Sequence, residues 1–162
     1  MQFVTQSYYD ELFGKIAKLR DELNFIRSEQ SLAWEHCGDG WHDNPYYSHL
    51  ISQERMCLKQ LDDLLAQMSD SAIVEEPDTH NDTRCIALYT RLVVRERNLK
   101  TKAERVREIS IVPIGAESFS ANAIPYNSPY ARGLLGARIG DTAEVKIPSG
   151  EFEVTVMEIK RI

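Results

Sequence analysis

Along the first part of the chain, apolar residues recur in alternating steps of three and four. Tyr9, Leu12, Ile16, Leu19, Leu23, Ile26, Gln30 and Ala33 form one run, and Tyr47, Leu50, Glu54, Cys57, Leu61, Leu64 and Met68 form a second. A repeat averaging about 3.5 residues keeps one narrow stripe facing a partner helix, which is the seam of a coiled coil. Helices of a compact bundle would each show a broader apolar face. The segment between the runs is too short for anything but an antiparallel reversal. Each arm has roughly 30 residues, hence a length of about 45 Å. Such a hairpin is a finger rather than a core. Gln30 and Glu54 interrupt the seam toward the turn, and a reversal near Gly40 sets Glu54 close to Arg27. An ion pair there would fix the register of the two helices.

The connecting stretch reads CGDGWHDNPYY, Cys37 to Tyr47. Gly38 and Gly40 tolerate positive φ and suit the end of the first helix. Asn44 before Pro45 reads as an N-cap followed by the first position of the second helix. Asp39, Trp41, His42 and Asp43 are left without a structural duty. Charge singles out the same place. Residues 1–70 hold twelve acids against six Lys and Arg, which accounts for the whole net charge of −6. Between Arg27 and Arg55 there is no Lys or Arg, while Glu29, Glu35, Asp39, Asp43 and Glu54 remain. An exposed Trp41 at a hairpin tip has no core to bury it, so contact with a partner is the better reading.

Beyond a polar, turn-rich linker, SDSAIVEEPDTHND, the period changes to two. RCIALYTRLVVRER and VREISIVPI read as strands joined by a polar loop from Arg97 to Glu104. Ser128 before Pro129 caps a short helix, PYARGLL, which Gly136 ends. TAEVKI and FEVTVMEI alternate around the turn PSGE, with a bulge near Met157. The expected fold class is α+β: an N-terminal antiparallel coiled-coil hairpin over residues 1–70, then an antiparallel sheet domain with one short helix over 71–162.

The acidic balance excludes general binding to a bare nucleic-acid backbone. Cys37, Cys57 and Cys85 are odd in number and scattered, so a disulfide framework is not expected and a reducing compartment fits. No leader and no membrane span is read from the sequence, which leads to a cytoplasmic expectation. His36, Cys37, His42 and His49 lack the ligand spacing of a zinc site.

The stretch from Asn127 to Ile159 is similar to the GreA/GreB family of bacterial transcription elongation factors. The matching residues are Ser128, Pro129, Arg132, Leu134, Leu135, Gly136, Gly140 and Asp141. The hairpin agrees in length and position, so the resemblance covers nearly the whole chain, with residues 70–110 matching loosely. It implies an FKBP-like C-terminal domain that docks on RNA polymerase and a coiled coil that enters the secondary channel. It also implies that tip carboxylates, here Asp39 and Asp43, help hold an Mg²⁺ ion and a water in the polymerase active site. The polymerase then cleaves the extruded 3′ end of backtracked RNA. On this reading the chain is not an enzyme by itself but lends ligands to one. Trp41, His42, Asn44, Ser128, Pro129 and Arg132 are the implied partner-binding residues. DNA is involved only indirectly, no membrane is, and the self-contained hairpin suits a monomer.

One departure bears on the chemistry. The family tip carries its two acids three positions apart, as Gly-Asp and then Glu-Asn. Here Asp39 and Asp43 are four apart, because GDGWHDN is one residue longer and an Asp stands for the Glu. The altered tip leaves two readings open, cleavage stimulation or a channel-binding regulator without cleavage. A third, from another class, is a coiled-coil adaptor unrelated to polymerase. The basic cluster Arg91, Arg95, Arg97, Lys100, Lys102, Arg105 and Arg107 also has two readings: charges that protect edge strands, or contact with polymerase or emerging RNA. Prolyl isomerase activity is not expected, since a fold alone does not confer it.

Overall fold

The computed structural model describes residues 1–35, 44–75, 85–117 and 121–161. They fall into two compact units. One comprises Met1 and Tyr9–Ser71, and the other joins Gln2–Tyr8 to the chain from Ala72 onward.

The first unit is the helical pair. Helix α1 spans Gln6–Glu35 and α2 spans Pro45–Ser69. The seam residues behave as their spacing requires. Leu12, Ile16, Leu23, Ile26, Ala33, Leu50 and Cys57 are buried, and the remaining seam positions are half-buried. Helix α2 starts where the Asn-Pro pair places it. The Asn44 side-chain oxygen accepts hydrogen bonds from the backbone N–H groups of Tyr46 (3.0 Å) and Tyr47 (3.2 Å), with Pro45 at the first turn. The cap satisfies two of the orphan donors of a helix start.

The polar break in the seam forms a closed set. Arg27 Nε donates to Glu54 Oε1 at 2.9 Å, and Gln30 Nε2 donates to Glu54 Oε2 at 2.9 Å. These two hydrogen bonds, Gln30 first, lower the Glu54 pKa from its ordinary value. One turn farther along α2, the Cys57 thiol donates to the Leu19 carbonyl across the helix pair. Its burial raises the thiol pKa.

The second unit is a five-stranded sheet in the order β5-β4-β3-β7-β6. Strand β3 is Thr90–Asn98, β4 is Glu104–Val112, β5 is Ala123–Pro125, β6 is Thr142–Ile147 and β7 is Gly150–Arg161. β3 pairs antiparallel with β4 and β7, and β6 with β7. β5 runs parallel to the end of β4, so the sheet is mixed rather than wholly antiparallel. Helix α3, Pro129–Leu134, covers one face, where Tyr130, Ala131 and Leu134 pack with Leu92, Val94, Ile109, Val145 and Val154. The register of β3 against β7 passes from Val93–Glu158 to Val94–Val156, leaving Met157 as the extra residue of a bulge. The expected bulge is therefore present.

Two further details depart from the sequence reading. The first strand starts at Thr90 instead of near residue 84, because Tyr89 has a positive φ of 56° and turns the chain. Upstream of that turn, Ile86 exchanges backbone hydrogen bonds with Gly136 and Ala137 instead of extending β3. Second, the short strands β1 (Gln2–Val4) and β2 (Ser71–Ile73) pair with each other. β1 is tied down by Thr5 N–H to the Ile114 carbonyl (3.0 Å) and Ile114 N–H to the Phe3 carbonyl (3.1 Å). Gly115 permits this approach. A Cβ there would lie 2.5 Å from Tyr8 Cβ, and its φ of +92° suits glycine.

Among the described residues, the sheet core contains one charge. Glu96 follows Leu92 and Val94 on the face under α3 and is 1 % exposed. Its carboxylate accepts hydrogen bonds from Arg105 Nε, Arg107 Nη1 (3.4 Å) and the Tyr130 hydroxyl (2.6 Å). Burial, then the bond to Glu96, raises the Tyr130 pKa. A buried carboxylate is tolerable only with such company.

Two outcomes follow. Removing the Tyr130 hydroxyl (Tyr130→Phe) should cost about 1–2 kcal/mol in urea denaturation, and Glu96→Ala about 3 kcal/mol or more, because two guanidiniums lose their shared acceptor. Glu54 has a depressed folded-state pKa, so its stabilisation is present above the ordinary value of 4.5 and is lost as pH falls through the folded value. The stability gap between the native chain and Glu54→Gln, followed by circular dichroism, should therefore close as pH drops below 4.5; an unchanged gap would contradict this.

Candidate metal-binding and partner-binding site

Helix α1 ends at Glu35 and α2 begins at Pro45, so the acidic zone joins two helices held in register by the seam. Asp39, Trp41, His42 and Asp43 lie outside the described residues. What is described is their mounting. Trp34, in the last turn of α1, is about half exposed and packs against Tyr47 of α2, ring centroids 5.9 Å apart and tilted by 53°. Beside it, the Tyr46 hydroxyl donates to Glu29 Oε2 at 2.8 Å, a bond that raises the Tyr46 pKa. With the Asn44 cap, these contacts tie the end of α1 to the start of α2. Asn44, singled out from the sequence as a partner contact, spends its side-chain oxygen on capping.

Among the described residues no group of three or more His, Cys, Asp or Glu could hold a metal ion. Asp39 and Asp43, the carboxylates that the sequence resemblance implies as ligands, are not among those residues. Two carboxylates suit Mg²⁺, which binds few protein oxygens and retains waters. Two carboxylates alone form an incomplete shell, which suits an ion shared with a second set of ligands.

On the sheet unit, Ser128 Oγ accepts from the Ala131 N–H at 3.1 Å and Pro129 occupies the first turn of α3. Both residues thus set the start of the helix. Arg132 is exposed, and beyond it Leu135 and Ile139 expose apolar side chains, Ile139 by 58%. Four of the seven basic residues of the cluster pair with cross-strand acids. Arg91 pairs with Glu108 (3.5 Å), Arg97 with Glu104 (3.7 Å) and Glu153 (3.8 Å), and Arg105 and Arg107 share Glu96. Glu96, which organises these arginines, is not singled out from the sequence. Its position at an inward step of an alternating strand, Leu92-Val94-Glu96, was the available signal.

Among the described residues no helix is long and apolar enough to cross a membrane. Residues 92–161 match the family described as Transcription elongation factor, GreA/GreB, C-term. Transcription elongation factor GreA of Yersinia pestis is 29% identical over 153 residues, covering 90% of this chain and 92% of that protein. The GreA of Thermosipho melanesiensis is 25% identical over 158 residues, 98% of this chain and 96% of that protein. The crystal structure of GreA factor homolog 1 (Gfh1) of Thermus thermophilus aligns over 98% of both chains at 22% identity with a TM-score of 0.42. Residues 92–161 thus carry a GreA/GreB C-terminal domain, and similarity to GreA transcription elongation factors runs through the hairpin as well.

Proposed function

We propose that the chain acts on bacterial RNA polymerase, inserting its hairpin into the secondary channel and stimulating Mg²⁺-dependent cleavage of backtracked RNA. The observation that carries this reading is the pairing of a continuous helical seam with a junction that has no cation of its own. Helices of 30 and 25 residues, about 45 and about 37 Å long, give the reach. The acidic residues between Arg27 and Arg55 give the charge.

Each residue then has a task. Asp43 and Asp39 supply carboxylate oxygens and, without neighbouring Lys or Arg, keep their charge available. Together they would hold an Mg²⁺ ion whose remaining ligands the polymerase would provide, and which would supply an activated water for hydrolysis of the RNA phosphodiester. Trp41 and His42 contact the channel wall. Trp34 with Tyr47, and Tyr46 with Glu29, hold the end of α1 against the start of α2. Arg132 contacts the polymerase surface, whereas Ser128 and Pro129 act by shaping α3. The chain performs no chemistry alone.

A second reading rests on the altered spacing of Asp39 and Asp43, four residues apart in a lengthened tip. There the tip occupies the channel and regulates synthesis without cleavage. A stalled, backtracked elongation complex with labelled RNA and Mg²⁺ separates the two. The first reading expects rapid shortening of the transcript, reduced about a hundredfold or more by Asp43→Ala. Slowed synthesis with no shortening would support the second. Absence of any effect on the complex would remove both.

A further inference from the structure

Strand β4 has an open edge. β5 covers only Ser110–Val112, and among the described residues no strand pairs with Glu104–Ile109 on that side. The direction of the free backbone groups can be read from their neighbours. Ser110 N–H donates to the Asn122 carbonyl and the Val112 carbonyl accepts from Tyr126 N–H, both away from β3, while the Ile111 carbonyl faces Tyr89 on the β3 side. Residues of one parity on a strand point their backbone groups to one edge. Glu104, Val106 and Glu108 therefore turn N–H and C=O outward. Val106 is 65% exposed, on the sheet face away from α3.

The flanking side chains are sorted by charge. Arg105 and Arg107 stand two residues apart on the face that carries Glu96, with side chains 56% and 34% exposed. Glu96 fixes both guanidiniums but neutralises only one positive charge. Beside them lies a cavity of about 260 Å³ bordered by Glu96, Asn98, Thr101, Glu104, Arg105 and Phe152, with the Arg105 guanidinium 5.8 Å from the Phe152 ring centre. Orientation by a buried partner removes much of the side-chain entropy that an arginine loses on meeting a second acceptor.

We propose that the Glu104–Glu108 edge of β4 is a docking site for an extended, acidic peptide segment of a partner protein, which adds as a strand. Backbone hydrogen bonds to Val106 and Glu108 supply affinity. An acidic-apolar-acidic alternation supplies specificity, with carboxylates opposite Arg105 and Arg107 and the apolar residue opposite Val106. A nucleic-acid strand fits less well. Its backbone lacks the N–H and C=O groups and the peptide spacing that the edge would pair with. This inference does not depend on cleavage activity.

The test is an NMR titration of the full chain with a blocked heptapeptide of alternating Glu and Val. A Lys-Val heptapeptide and oligouridylate serve as competing ligands. Saturable, salt-sensitive shifts of the Val106 and Glu108 amides are expected with the Glu-Val peptide alone. Val106→Pro removes one edge donor without touching the arginines and should weaken binding about tenfold or more. Arg105→Gln/Arg107→Gln should weaken it at least as much. No shift with millimolar peptide, equal binding of the Lys-Val peptide, preference for oligouridylate, or full affinity in Val106→Pro would each overturn the proposal.

Discussion

The packing of one narrow apolar stripe of α1 against one of α2 is the interaction on which the rest depends. Leu23, Ile26, Ala33, Leu50 and Cys57 share a single buried strip, and Leu12 and Ile16 are buried at the same seam of α1. Outward-facing positions include Phe13, Phe25 and Met56, each more than half exposed, so burial is confined to the seam. A seam this narrow is sensitive to register. The polar set of Arg27, Gln30 and Glu54 answers that need, since its two hydrogen bonds converge on one carboxylate and form in a single alignment of the helices. Toward the tip, the Asn44 cap and the paired rings of Trp34 and Tyr47 continue the constraint after the last buried seam residues.

The sheet unit solves a different problem. Its core is conventional in content, with Val, Leu and Ile on the face beneath α3, but it also encloses the Glu96 carboxylate. Exchange for an apolar residue of similar size would be the cheaper way to fill that space in many proteins. Retaining the charge holds Arg105 and Arg107 at fixed positions on a strand whose edge is uncovered. The mixed character of the sheet follows from β5, which returns beside β4 in the parallel sense and protects only its last three residues.

Much of this was legible because the local signals were strong. A period near 3.5 sustained over four repeats identifies a seam without reference to any partner. Asn44-Pro45 and Ser128-Pro129 each combine a side-chain acceptor with a residue that lacks an N–H, and both start helices where expected. The bulge at Met157 was visible as a slip in alternation. Three-residue strands such as β1, β2 and β5 are too short to show a period, and their pairing is decided by distant partners such as Ile114 and Ser110. The role of Glu96 depends on Tyr130, 34 residues away, which no spacing rule connects to it. The candidate tip was legible as charge and composition alone, since Asp39, Trp41, His42 and Asp43 fall outside the described residues.

If the hairpin works by reach, its length is a functional quantity. Deleting residues 16–22 from α1 and 58–64 from α2 removes one repeat from each arm and leaves the seam in phase, shortening the hairpin by about 10 Å. The decisive measurement is transcript cleavage by polymerase with this shortened chain, alongside its binding to the same complex. Retained binding with cleavage abolished is the predicted result. Cleavage at the rate of the full-length hairpin would contradict it, because carboxylates withdrawn by that distance could not share an ion with the polymerase.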